Sequence, residues 1–310
     1  MASNIKEEDL LKPVLILLVF TLTSCCQCKV VQGSTIWLAP PESKEEYLTW
    51  YSPIIQKYTG EVIQYDDEVV AIVDDITKKQ VRFRSSRVIW IEADDQTLLE
   101  RKFRQSFEEK DDDAVLQGLS PVLMERPPVW RQQWLTMVAA VSASRTHRGR
   151  ISLELVSQLD QRPLPLMVYA WLPIAWTNKS LPQPLITDAV NRLSDSSELV
   201  ELIASSWILA SNQREIAISK LNQLATSDRS EVASLAKVLL WRASTPTDVL
   251  KSVNQWRDTI SKLPMVLQMG PLILLKDKVK SAGDPDMAKH LQWSIDTVPI
   301  MKQLEWIDHR

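Results

Sequence analysis

From Gln96 onward, apolar residues recur at spacings of three and four, the period of a helix with one buried face. No other feature constrains the fold of this chain as strongly. Polar, proline-bearing or glycine-bearing breaks divide the pattern at 109–113, 126–128, 146–149, 162–163 and 178–184. They recur at 211–212, 227–228, 244–246, 263–264, 282–285 and 298–299. The spacing predicts about eleven to thirteen helices, mostly ten to eighteen residues long. Six glycines against seventeen prolines suit such a chain, because glycine weakens helix interiors while proline punctuates between helices. Pro128, Pro246 and Pro264 suit first-turn positions; Asp111, Asp112, Asp113, Asp195 and Asp228 suit helix starts. Similar helices with short connections predict antiparallel pairs stacked as an irregular α-solenoid over residues 96–310.

Residues 59–93 have a different character. Short strands are expected at 61–65, 69–73, 80–84 and 88–91, with turns at Asp66-Asp67 and Asp74-Asp75. Four or five such strands need closure or a partner surface. Residues 25–58 read as a lead-in: Pro40-Pro41 stops a strand and Ser43 caps a short helix over 44–51. The expected fold is therefore mainly α, a helical repeat domain preceded by a small β-barrel.

Residues 13–22 form an apolar run of ten residues, the length of a signal-peptide core and short for a membrane span. The three cysteines follow it directly, as Cys25, Cys26 and Cys28, so the rest of the chain has no disulfide framework. Nor do they make a zinc clip, which wants four ligands. Leu22-Thr23-Ser24-Cys25 resembles the bacterial lipobox, in which an aliphatic and two small residues precede a cysteine. That resemblance implies that residues 1–24 are a signal peptide or anchor, that Cys25 is lipidated, and that the body is exported. Cleavage after Val31-Gln32-Gly33, retention as an uncut anchor, and a buried amino-terminal helix are the alternatives. The strand spacing of 59–93 is similar to SH3-like barrels found beside signal sequences in exported bacterial proteins. The helices around Ala217, Leu221, Val232 and Leu239 resemble a HEAT-type pair. The last pair, with Gly283, Ala288 and Pro299, resembles a tetratricopeptide unit.

The residues argue against catalysis. His147, His290 and His309 are far apart and in no metal-binding spacing. Gly-x-Ser-x-Gly and the phosphate-cradling glycine loops are absent, and the cysteines lie only in the leader region. The acidic clusters fit turns and helix starts better than calcium loops. No enzyme activity, metal or cofactor is expected. A carboxylate-only hydrolase stays open, and would need two carboxylates about 5–9.5 Å apart in one pocket.

Two groups are candidates for binding. Lys78, Lys79, Arg82, Arg84 and Arg87 make a basic strand suited to anionic lipid headgroups or nucleic acid. A net charge of −3 and the expected export disfavour nucleic acid. Trp130 and Trp134 stand four apart and share a helix face, which suits either packing between repeats or the lining of a groove; Trp207 and Trp241 read as core. The expected function is a non-enzymatic, membrane-tethered binding or scaffolding module with protein partners at the cell envelope. The rivals are a subunit of an envelope complex, the carboxylate hydrolase, and a cytosolic nucleic-acid binder.

Overall fold

Strand β1 (Ser34–Leu38) lies inside the segment that reads as a lead-in. Ser34, Ile36 and Leu38 point inward and Thr35 and Trp37 outward, so five alternating residues suffice for a strand before Pro40 ends it. The computed structural model describes residues 34–40, 55–93 and 96–297. The expected helix at 44–51, the leader with Cys25, and Pro299 lie outside the described residues.

β1 is joined by β2 (Gln56–Tyr65), β3 (Val69–Asp74), β4 (Gln80–Arg84) and β5 (Val88–Ala93). All neighbouring pairs are antiparallel, in the order β4-β3-β2-β1-β5. A one-turn 3-10 helix, Ser85–Arg87, separates β4 from β5. Ser34 opposes both Gly60 and Ala93, which makes β1 an interior strand. The two expected turns form as expected. The Asp66 carboxylate accepts the N–H groups of Glu68 and Val69, and that of Asp74 accepts those of Ile76 and Thr77. Arg82 and Arg84 face outward on the edge strand β4, where charge discourages pairing with a second sheet.

Twelve α-helices follow among the described residues. They are α1 (Leu98–Glu108), α2 (Asp112–Met124), α3 (Val129–Arg145), α4 (Gly149–Leu159), α5 (Leu166–Tyr169) and α6 (Gln183–Asn191). The remainder are α7 (Glu198–Ile208), α8 (Arg214–Leu224), α9 (Ser230–Leu240), α10 (Pro246–Ser261), α11 (Met269–Ser281) and α12 (Pro285–Thr297). Side chains of Thr97, Asp111, Ser197 and Thr245 cap α1, α2, α7 and α10 by accepting a backbone N–H three residues on. Successive helices pack on one another from α1 to α4, from α6 to α9 and from α10 to α12, while α4 also meets α6 and α7. One continuous apolar core runs from Ile36 in the sheet to Leu291 in α12.

One stretch departs from the helical reading. After the single turn of α5, residues 170–182 form no regular element. Pro173 supplies no N–H for a helical turn, and the surrounding helices satisfy the backbone instead. The Trp207 indole donates to the Pro173 carbonyl at 2.6 Å, and the Ser206 hydroxyl accepts from the Ala175 N–H at 3.0 Å. The buried Arg242 guanidinium donates to the carbonyls of Ala175 at 2.7 Å and Ser206 at 2.6 Å. Trp176 then lies against α11, where only a glycine fits: a Cβ on Gly270 would stand 2.1 Å from the indole.

Candidate functional site

Trp130 and Trp134 do share a face of α3, but that face covers the sheet. They are only 5% and 6% exposed. Trp130 meets Tyr65 with ring centroids 6.1 Å apart; Trp134 meets Trp90 at 5.6 Å and Trp171 at 5.9 Å, both edge-on. Phe107 closes the group against Trp171. These rings form the seam between sheet and helices, with a cavity of about 30 Å³ beside Trp134, room for little more than a water molecule. The sequence grouped the two tryptophans correctly, but helical periodicity alone cannot tell a core face from a groove. The structure places them in packing, the alternative to an open aromatic groove.

The basic strand is divided as well. Arg82 and Arg84 are exposed on β4. Arg87 instead turns inward, donating to the Ala39 carbonyl at 2.9 Å and to the Gln56 side chain at 2.8 Å. It ties the end of β1 to the start of β2, so the three arginines do not form one surface. His147 occupies the turn between α3 and α4 with φ of 62°, and His290 lies exposed on α12 against its own helix's Asp286 carbonyl. Among the described residues no three His, Cys, Asp or Glu side chains converge as a metal site would require.

A roomier concavity lies elsewhere among the described residues. A cleft of about 560 Å³ opens between the β2–β3 turn, the loop after α4 and the start of α9, a size suited to a small ligand or a peptide side chain. Its floor is a fixed polar network. Asp160 ends α4; one carboxylate oxygen accepts the Ser197 hydroxyl at 2.7 Å and the other stands 2.7 Å from the Arg229 guanidinium. Arg229 also donates to the Tyr169 hydroxyl at 2.7 Å. Burial opposes the charge on Arg229, but the bonds to Asp160 and Tyr169 outweigh it and hold the guanidinium more firmly protonated than usual. Burial raises the Tyr169 phenol above its ordinary value, with Arg229 pulling the other way. Tyr169 therefore stays neutral, accepts from Arg229 and keeps its own O–H to donate. Asp67, Glu68 and Glu231 line the cleft as carboxylates and Arg162 as a further cation.

Sequence reasoning missed Asp160, Tyr169 and Arg229. One signal existed. Arg229 sits at the N-cap of α9, where the helix dipole disfavours a cation. Such a placement calls for an anionic partner, here Asp160 from a helix 37 residues before Ser197 of the same network. No protein-family model, curated protein or solved structure matches this chain.

Proposed function

We propose that this chain is a non-enzymatic, membrane-tethered binding or scaffolding module of the cell envelope. The observation that carries the reading is the way the leader joins the fold. Ser34 follows the lipobox-like Cys25 by nine residues and opens an interior strand, hydrogen-bonded on both sides. An acyl group on Cys25 would thus be joined to the body through a strand gripped by two neighbours, over a span of at most about 30 Å. The strand order, with a 3-10 turn between β4 and β5, supports an SH3-like barrel as the module next to the anchor. Packing of successive helices supports an irregular α-solenoid beyond it, with HEAT-like character at α8–α9 and tetratricopeptide-like character at α11–α12.

The cleft favours recognition over catalysis. Its most buried carboxylate, Asp160, is already held by Arg229 and Ser197. A permanent seat in an envelope complex is the second reading, supported by the exposed apolar side chains Ile216, Leu250 and Trp293 on α8, α10 and α12. The test is membrane fractionation with fatty-acid labelling of the full chain and of Cys25→Ala. Label on the first and none on the second is the expected result. An unlabelled, uncut chain that stays in the cytosol overturns the reading and returns attention to Arg82 and Arg84.

A further inference from the structure

The cleft between the β2–β3 turn and α9 holds more negative charge than its own cations balance. On the floor, Arg229 is taken up by Asp160, with Glu198 also 4.0 Å from its Nε atom. Above the floor, Asp67 and Glu68 line one wall, in the β2–β3 turn, and Glu231 lines another, in the first turn of α9. None of these three carboxylates forms an ion pair among the described residues; Glu231 accepts only the neighbouring Ser230 hydroxyl. Arg162 is the one further cation in the lining. The residues beside the walls keep the same sign. Asp66 and Asp228 adjoin them in the chain, against Arg84, which is exposed on β4 next to the Ser85 that donates its N–H to the Glu68 carbonyl.

Size and hydrogen bonding narrow the occupant. A metal ion does not suit, because no three carboxylates converge as ligands among the described residues. A volume of about 560 Å³ asks for a molecule of many atoms. A cation that meets carboxylates on two walls needs donors in more than one direction. An arginine guanidinium offers five in a planar fork, whereas a lysine ammonium is a compact point charge. Pro163 and Leu164 supply apolar lining for the stem of such a side chain. Tyr169 adds a second requirement. It is 6% exposed, its oxygen accepts from Arg229, and its hydroxyl hydrogen has no acceptor among the described residues. A polyamine brings no acceptor to that buried donor or to Arg162; the carbonyl groups of a peptide do.

We propose that the cleft binds an arginine side chain presented by a peptide segment of a partner protein. Asp67, Glu68 and Glu231 clamp the guanidinium from two walls, and the Tyr169 hydroxyl donates to a backbone carbonyl of the same segment. This names the partner chemistry for the cleft and rests on reading it as a recognition site, but not on the lipid tether.

The test titrates the full chain, in a non-ionic detergent and at low salt, with acetylated and amidated peptides of the form Ala-Ala-Arg-Ala-Ala. Binding is followed by amide NMR shifts. Millimolar arginine peptide should move the amides of residues 66–69, 160–163 and 229–231. A central lysine should bind about threefold more weakly and a central glutamate not at all. Glu231→Gln should weaken the arginine peptide about fivefold, and Asp67→Asn with Glu68→Gln about as much, with both effects shrinking as salt rises. Tyr169→Phe should weaken the peptide about fivefold while leaving the weaker binding of spermidine unchanged, which a merely structural role would not do. Thermal midpoints of the carboxylate variants should stay within a few degrees of the parent, since these groups make no ion pair in the fold. No shifts in the cleft with millimolar arginine peptide, or an equal response to spermidine, overturns the proposal and leaves the labelling of Cys25 untouched. Absence of label with peptide binding intact overturns the tether and leaves the arginine site standing.

Discussion

Residues 170–182 and the α8–α9 pair are both built into the core, by opposite means. In α8–α9 each helix satisfies its own backbone and contributes one apolar stripe: Ala217, Leu221 and Leu224 against Val232, Leu235, Ala236 and Leu239. In 170–182 the backbone has no repeating partner. Its carbonyls and N–H groups are met by Trp207, Ser206 and Arg242, which lie 31 to 67 residues away in the chain. A self-contained element can be replaced piece by piece. A borrowed one fails when a single distant donor is lost.

The largest expected effect follows from that contrast. Arg242→Met keeps the apolar stem but removes the charged hydrogen bonds to the Ala175 and Ser206 carbonyls, leaving both under-satisfied, together with a longer one to the Asn178 side chain. At about 1.5–3 kcal/mol for each such bond, the loss should be about 3–6 kcal/mol in urea unfolding. Hydrogen exchange should quicken first in 170–182. A cost below about 1 kcal/mol would mean that the loop holds itself. For the helical pair, Leu221→Ala should cost about 2–5 kcal/mol, the range for a buried leucine left as a cavity. Its exchange effect should stay within α8, α9 and the α7 face they cover. A selective loosening of 170–182 by Leu221→Ala would erase the distinction.

The third expectation concerns the contact between the loop and α11. Gly270→Ala drives a methyl into the Trp176 ring and should cost about 1–3 kcal/mol. Trp176→Leu makes room for that methyl, so the double variant should be less destabilised than the sum of the two single ones. Additivity in that cycle would show that the ring does not press on α11.

The same contrast explains what could be read from the chain alone. Helix stripes are local, so the boundaries of α8, α9, α11 and α12 and the turns at Asp66 and Asp74 were legible from spacing and side-chain chemistry. Ile216 shows the limit of spacing: it is apolar and neighbours the stripe of α8 but stands exposed. β1 was missed because Pro40-Pro41 dominated the reading of a five-residue alternation. Residues 170–177 were read as helical because their apolar content matched, while the donors that hold them lay in other elements; only 178–182 read as a break. The cleft depends on Asp160, Tyr169 and Arg229 meeting from three separated segments, and no local pattern encodes such a meeting. Trp130 and Trp134 mark the boundary case: their shared face was visible, but what it faced was not.

The smallest effect tests the local end of the comparison, at the β3–β4 turn. The Asp74 carboxylate accepts the Thr77 N–H at 2.6 Å and the Ile76 N–H at 3.1 Å. The bonds from Thr77 lead in holding its carboxyl below the ordinary 3.8, with slight desolvation opposing and the charge of Lys78 helping. A depressed folded-state value means that the charged turn stabilises the sheet fully above pH 3.8 and loses that contribution as pH falls through the lower folded value. Asp74→Asn should therefore lower the urea midpoint slightly at neutral pH, and the gap to the parent chain should close on acidification below 3.8. Arg242→Met should show no such closing, because its guanidinium stays charged over the whole range. The absence of a gap for Asp74→Asn at every pH would place the turn's strength in the shape and acceptor oxygen of the side chain, which asparagine keeps, rather than in its charge. The hairpin would then depend on geometry alone, as the α8–α9 stripes do.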